Sequence, residues 1–148
     1  MTELVQIITG FFGSLGFGIL FNVRGKRLLA ASLAGLFSWS LYLLLGIWIA
    51  DEALRYFIVA FVISVYCEIM ARMLKSPTTT FLMTALVPLI PGGGLYYTMT
   101  NAISGDVIGF IERGLKTISL AVALALGVIV VTVMMNIINK VKKLPKRQ

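Results

Sequence analysis

One stretch decides how this chain can fold, and it reads Pro88-Leu89-Ile90-Pro91-Gly92-Gly93-Gly94-Leu95-Tyr96-Tyr97. It interrupts an apolar run over residues 79–102. Proline lacks a backbone donor and clashes with the preceding turn, and consecutive glycines lose backbone entropy, so a helix cannot run smoothly through these residues. Pro91 lies about 12 residues into the run, which at about 1.5 Å per residue puts the break near the centre of a membrane-spanning segment.

The composition around this stretch is that of an integral membrane protein. Of the 148 residues, 59% are hydrophobic and 13% are charged, and the mean hydropathy is +0.96. A soluble domain of this size has too much surface for its volume to bury so many apolar side chains. The chain has no histidine and one cysteine, Cys67, which we expect to be a buried packing residue. Without histidine or a second cysteine, the chain cannot form the usual catalytic pairs or a thiolate zinc site. We therefore expect neither an enzyme nor a metal or other cofactor.

Five apolar runs are each long enough to cross about 30 Å of hydrocarbon as a helix. They cover residues 4–23, 28–50, 54–74, 79–102 and 117–138. No internal repeat divides the chain, so residues 1–148 are expected to form a single transmembrane domain. The sequence therefore predicts an all-α helix bundle with five spans, in which the fourth helix is broken from Pro88 to Gly94.

The distribution of charge supports the fifth crossing. With five spans, most of the 13 basic residues fall on one side, in the loop 24–27, the patch 72–75 and the tail 139–148. The other side keeps only Arg55, Arg113 and Lys116. This asymmetry is the positive-inside pattern, and four spans would remove it. We expect the amino terminus outside and the basic tail in the cytoplasm, with no nucleic-acid partner, because the dispersed cations form no binding stripe.

The second half of the broken span, from about Gly93 to Ala102, would present free N–H groups and the positive end of its dipole. Glycines let a carboxylate approach these groups closely, and broken helices meet substrate carboxylates in this way in secondary transporters. The alternative is a proline kink that only lets a neighbouring helix pack closely. The predicted substrate-binding residues are Pro88, Pro91, Gly92, Gly93, Gly94, Tyr96 and Tyr97.

Two charged residues lie in the second half of the third run. Glu68 and Arg72 are four residues apart, so they share a helix face and can pair. An acid inside a membrane is costly unless it is paired or faces water, and it marks a functional hypothesis. Glu68 and Arg72 are therefore candidates for proton coupling or gating. Alternatively, Arg72 neutralises Glu68 as a structural clamp beside Pro77.

Two further patterns concern packing and helix ends. In the first run small or polar residues recur at intervals of four and predict a helix-packing face, formed by Gly10, Ser14, Gly18 and Asn22. Residues 106–116 alternate apolar and charged positions, so we expect a short interfacial helix there with Asp106 as its N-cap.

These residues resemble the threonine/serine exporter family, and in particular its short stand-alone subunit. The resemblance rests on three stretches, which lie in the first, third and fourth runs: Gly16-Phe17-Gly18-Ile19-Leu20-Phe21-Asn22-Val23, Glu68-Ile69-Met70-Ala71-Arg72 with Ser76-Pro77, and Pro88-Leu89-Ile90-Pro91-Gly92-Gly93-Gly94-Leu95-Tyr96. The last of these is the most distinctive. The triple glycine departs from relatives that often have fewer glycines after the second proline.

The resemblance implies an inner-membrane exporter subunit that works with a larger five-span partner subunit. It also implies a cargo with a carboxylate, either threonine and serine or a dicarboxylate such as succinate. A rival interpretation is a non-transporting subunit that scaffolds the assembly of a membrane complex. The sequence leaves open whether the subunit also forms a homo-oligomer within the lipid bilayer.

Overall fold

The computed structural model describes residues 2–143, and in that part of the chain every regular element is helical. The elements are α1 (Thr2–Leu20), α2 (Lys26–Gly46), α3 (Glu52–Met73), α4 (Thr78–Ala85), a 3₁₀ turn (Val87–Leu89), α5 (Gly92–Ser104) and α6 (Val107–Lys143). The predicted all-α fold is confirmed. Residues 144–148 of the predicted basic tail lie outside the described residues.

Four single helices, α1, α2, α3 and α6, are long and apolar enough to cross a membrane. The predicted fourth span bends by 43° between α4 and residues 87–104. When this bent pair is counted as one crossing, the chain has the five predicted spans. The chain is therefore a multi-pass membrane protein with a broken fourth helix.

Local sequence explains where the later helices begin and end. Asp51 caps α3 by accepting a hydrogen bond from the Ala53 amide at 3.0 Å, and Asp106 accepts one from the Gly109 amide, also at 3.0 Å. Helix α5 stops at Gly105, whose φ of 77° is the left-handed conformation common at helix ends. The predicted cap at Asp106 is present, but the residues after it form the first turns of α6 and not a separate interfacial helix.

The centre of the bundle is α3, which packs against α2, α4 and α6, while α1 packs on α2. The contact between α3 and α6 is very close at Gly127, where a Cβ would lie 2.7 Å from the carbonyl oxygen of Phe57. Phe81 and Leu89, from α4 and the 3₁₀ turn, are fully buried in the core beside α3. Cys67 is buried in the same core, as expected.

Two polar contacts mark the ends of the apolar part of α6. At one end, the Lys116 ammonium lies 2.7 Å from Oε2 of Glu52, the first residue of α3. At the other end, Arg72 donates a hydrogen bond to Oδ1 of Asn139 at 3.0 Å. The helical rise between positions 116 and 139 is about 34 Å, close to the thickness of a bilayer core. The first turns of α6, with α5 beside them, extend about 14 Å beyond the start of α3.

The break in the fourth span lies beside the start of α3, at its predicted outer end, and its Pro88 lies against Gly10, near the middle of α1. Gly94 contacts Thr117, which follows the lysine that pairs with Glu52. The sequence prediction treated residues 79–102 as one span of the same extent as its neighbours. In the structure α5 instead packs along the extension of α6, beyond the end of α3.

Candidate functional site

A cavity of about 340 Å³ lies at the break. Residues from α2, α3, α5, α6 and the break itself surround it. They are Trp39, Glu52, Tyr56, Pro88, Ile90, Pro91, Gly92, Gly93, Gly94, Arg113, Lys116, Thr117 and Leu120. Both prolines and all three glycines that the sequence singled out therefore face one cavity.

The backbone hydrogen bonds at the break involve some amides and leave others without a partner. Two amides are bonded locally: the Ile90 amide donates to the Val87 carbonyl oxygen at 3.2 Å, and the Gly92 amide donates to the Ile90 carbonyl oxygen at 2.7 Å. The first amide of α5 that bonds back to the break is that of Leu95, at 3.1 Å from the Pro91 carbonyl oxygen. Among the described residues, the amides of Gly93 and Gly94 make no backbone hydrogen bond outside or within the helix, as expected for a helix start.

The three glycines have two different environments. A Cβ added to Gly92 or Gly93 would meet no other atom within 4 Å, so both border open space. A Cβ on Gly94 would lie 2.5 Å from Oγ1 of Thr117, which donates a hydrogen bond to the Arg113 carbonyl oxygen at 2.7 Å. Gly94 is therefore required for the close approach of α5 to α6, whereas Gly92 and Gly93 keep the cavity open.

Three charged side chains line the cavity, Glu52, Arg113 and Lys116, and none of them was among the predicted site residues. Glu52 accepts a hydrogen bond from the Tyr42 hydroxyl at 3.2 Å in addition to its ion pair with Lys116. Arg113 lies one turn from Lys116 on α6, with its guanidinium 5.2 Å from the centre of the Tyr97 ring. With two cations and one acid, the charged lining carries a net positive charge, which favours an anionic ligand.

The two tyrosines expected at the site lie elsewhere. Tyr96 and Tyr97 are 67% and 52% exposed, and neither borders the cavity. Helix α5 packs on α6 through Gly94 and through Thr98, one turn later, and Tyr97 reaches α6 at the side of this contact, where its ring lies against the Arg113 guanidinium. Tyr97 therefore contacts a residue that lines the cavity without lining it itself, and a role of Tyr96 and Tyr97 in substrate binding stays a prediction.

Glu68 and Arg72 lie toward the opposite end of α3 and border none of the residues of this cavity. Their side chains are 3.8 Å apart, the Thr78 hydroxyl donates to Glu68 at 3.1 Å, and Arg72 reaches Asn139. These contacts join α3, α4 and α6. A structural clamp would make such contacts, and a role of Glu68 and Arg72 in proton coupling or gating stays a prediction.

The small-residue face of α1 lies against α2 over part of its predicted length. A Cβ on Gly35 of α2 would overlap the Ser14 side chain, and one on Gly10 would lie 3.7 Å from the Gly35 carbonyl oxygen. Gly18 meets Leu28 in the same way. Asn22 is not part of this face, because α1 ends at Leu20 and Asn22 has a φ of 58° in the following turn.

The comparisons with known proteins agree with these features. The chain matches the family model described as "Threonine/Serine exporter, ThrE" over residues 6–134, which includes the break and the whole cavity lining. No curated protein and no solved structure matches it. Because the model covers most of the chain, the protein belongs to the threonine/serine exporter family and has a transport role of that type.

Proposed function

We propose that this chain is one subunit of a secondary exporter and that it binds the carboxylate of its substrate at the start of α5. The observation that supports this role is the meeting of two kinds of anion-binding group in one cavity. The amides of Gly93 and Gly94 are free of backbone partners, and the cationic side chains of Arg113 and Lys116 line the same space.

The free energy of binding expected from these groups is in the range that a transporter needs. A hydrogen bond to a charged group contributes about 1.5–3 kcal/mol, so two amides contribute about 3–6 kcal/mol. A dissociation constant of about 1 mM corresponds to about 4 kcal/mol, before the cost of immobilising the ligand. The lysine ion pair adds to the amide contribution. The resulting affinity is moderate, which suits a site that must both load and release its cargo.

The position of the cavity supports an alternating-access mechanism. The cavity lies at the predicted outer end of α3, and the buried side chains of Leu89 and Phe81 fill the bundle beneath it. Export requires a second state in which the same binding groups are reached from the cytoplasm. The bend between α4 and α5 is the natural hinge, because Gly92 and Gly93 absorb dihedral change without steric conflict.

We further propose that a larger five-span subunit of the same family completes the cavity. Helix α5 packs mainly on α6, and its other faces carry exposed apolar side chains at Leu95, Met99 and Ile103. A partner that covers this surface would also close the open side of the cavity next to Gly92 and Gly93. The complex would lie in the inner membrane, with the amino terminus of this chain outside and its carboxyl terminus in the cytoplasm.

The test is efflux of labelled threonine, serine and succinate from cells that produce this chain together with its larger partner. Gly93→Val places a branched side chain in the cavity, and its Cβ meets no other atom within 4 Å, so it should abolish efflux while co-purification with the partner is retained. Gly16→Val is the matched control, because it makes the same change at an exposed glycine of α1 that also has open space around it. Unchanged efflux with Gly93→Val would refute the carboxylate site.

A second candidate function is a non-transporting assembly subunit in which the break serves packing alone. The contact of Gly94 with Thr117 favours it, since this glycine permits close helix approach whether or not a ligand binds. In that case Gly93→Val would leave all activity of the complex intact, whereas a larger residue at Gly94 would disturb the packing of α5 on α6 within this subunit.

A further inference from the structure

Glu52 occupies an unusual position for a carboxylate near an anion site. Within the described part of the chain, it is the one acidic residue among those that line the cavity. Its Oε2 lies 2.7 Å from the Lys116 ammonium, and its Oε1 accepts the Tyr42 hydroxyl at 3.2 Å. The side chain is 30% exposed, so a ligand in the cavity can reach it.

Because Lys116 already pairs with Glu52, it would contact two anions, Glu52 and the substrate carboxylate, when a substrate is bound. A lysine ammonium has three donors, so it can bridge Glu52 and the incoming carboxylate. Bridging weakens the compensation that Lys116 gives to each negative charge, because this cation then faces two anions; the other cation of the lining, Arg113, has its guanidinium against the Tyr97 ring. The neighbouring cation, Arg55, does not replace Lys116, since its guanidinium lies over the Tyr42 ring at 4.8 Å from the ring centre. A second positive charge supplied by the ligand would restore the balance.

We infer that Glu52 accepts the α-ammonium group of an amino-acid substrate and so sets the preference for amino acids over carboxylates that lack this group. The inference rests on the carboxylate site proposed at the start of α5. In an α-amino acid the carboxylate and the ammonium are attached to the same carbon atom. A carboxylate held by Lys116 therefore brings the ammonium within reach of the carboxylate that Lys116 also contacts. A dicarboxylate instead adds a further negative charge beside Glu52, which like-charge repulsion disfavours.

The other acids of the chain are less suited to this role. Asp51 is exposed and accepts the Ala53 amide as the cap of α3. Glu68 is held by Thr78 and Arg72 and does not line the cavity. Glu52 alone combines access to the cavity with a partner that the substrate shares.

The experiment measures ligand binding to the purified complex by thermal stabilisation, with threonine, β-hydroxybutyrate and succinate as ligands. β-Hydroxybutyrate is threonine with hydrogen in place of the amino group. The unmodified complex should bind threonine at least about tenfold more tightly than β-hydroxybutyrate, the effect of one charge-assisted hydrogen bond. Glu52→Gln should reduce this preference to about twofold or less, and Glu52→Asp, which keeps the charge, should retain most of it.

Asp51→Asn is the matched control, because it neutralises the adjacent acid and keeps an oxygen for the helix cap. Glu52→Gln is expected to fold, since an ion pair with one member 67% exposed contributes little to stability. The inference is overturned if Glu52→Gln keeps the original preference or weakens all three ligands equally. Failure of the carboxylate site is a separate result, in which Gly93→Val still binds threonine as the unmodified complex does.

Discussion

The contact between Gly94 and Thr117 allows the packing of the broken helix to be tested apart from ligand binding. An alanine Cβ at position 94 would lie 2.5 Å from Oγ1 of Thr117, whereas ordinary contact begins at 3.4 Å. The threonine oxygen would have to move by about 0.9 Å, the difference between these two distances. Thr117 is buried, β-branched and bonded to the Arg113 carbonyl oxygen, so it cannot easily turn away.

The expected cost follows from this geometry. Overpacking in a fitted contact typically destabilises by about 1–3 kcal/mol. The higher helix propensity of alanine over glycine offsets up to about 1 kcal/mol of this cost. Because an approach of 2.5 Å is closer than real Cβ contacts, we expect the upper part of this range, about 2–3 kcal/mol, and after an offset of about 1 kcal/mol Gly94→Ala should lower the free energy of unfolding by about 1–2 kcal/mol. Thr117→Ala removes both the oxygen and the methyl group in contact, so the double variant should be more stable than the sum of the single changes predicts.

The assay is denaturation of the purified protein in detergent, followed by circular dichroism, for the two single variants and the double variant. Gly92→Ala is the control, because its Cβ meets nothing within 4 Å and should leave stability nearly unchanged. The interaction energy between positions 94 and 117 should be about 1 kcal/mol in the stabilising direction. Strict additivity, or a Gly94→Ala variant as stable as the unmodified protein, would refute the close contact between α5 and α6.

Three other predictions concern residues outside the cavity and the topology. Tyr97→Phe should leave efflux unchanged, because Tyr97 is not among the residues that line the cavity. A loss of transport would show that the Tyr97 hydroxyl contributes to substrate binding. Glu68→Gln should lower stability by less than about 1 kcal/mol and leave the preference between threonine and succinate unaltered, since Arg72 is 43% exposed. Reporters fused to the two ends of the chain should read external at the amino terminus and cytoplasmic at the carboxyl terminus; two ends on one side would remove a crossing.

Much of the fold follows from the sequence alone. The length of the apolar runs and the distribution of lysine and arginine are sufficient to predict five spans, because a helix that crosses hydrocarbon needs a long apolar segment. The break follows from two prolines and three glycines, whose effects on a helix are local. The caps at Asp51 and Asp106 depend on local chemistry as well, although only Asp106 was predicted.

The parts of the site that escaped prediction depend on how the helices are arranged. Glu52, Arg113 and Lys116 lie outside the apolar runs, and an analysis of hydropathy assigns such residues to loops. They reach the cavity because α5 and α6 extend together past the start of α3, which sequence periodicity does not reveal. The spacing of Arg113 and Lys116, one turn apart on a helix next to a buried threonine, was the available signal.

The two tyrosines show the opposite error. Tyr96 and Tyr97 are close to the glycines in sequence, and a hydroxyl near an anion site is a reasonable donor. Their orientation depends on which face of α5 meets α6, and that face is set by Gly94 and Thr98. Proximity in sequence therefore identified the break correctly, but it does not reveal which side chains beside the break line the cavity.

The most direct measurement concerns the backbone amides at the start of α5. Nuclear magnetic resonance of the complex, with ¹⁵N-labelled glycine, would follow the amide signals of Gly93 and Gly94 as threonine is added. If these amides bind the substrate carboxylate, both proton signals should move downfield in a saturable way, while the signal of Gly16 in α1 stays constant. Saturable transport with no movement of either signal would contradict a carboxylate bound at the broken helix.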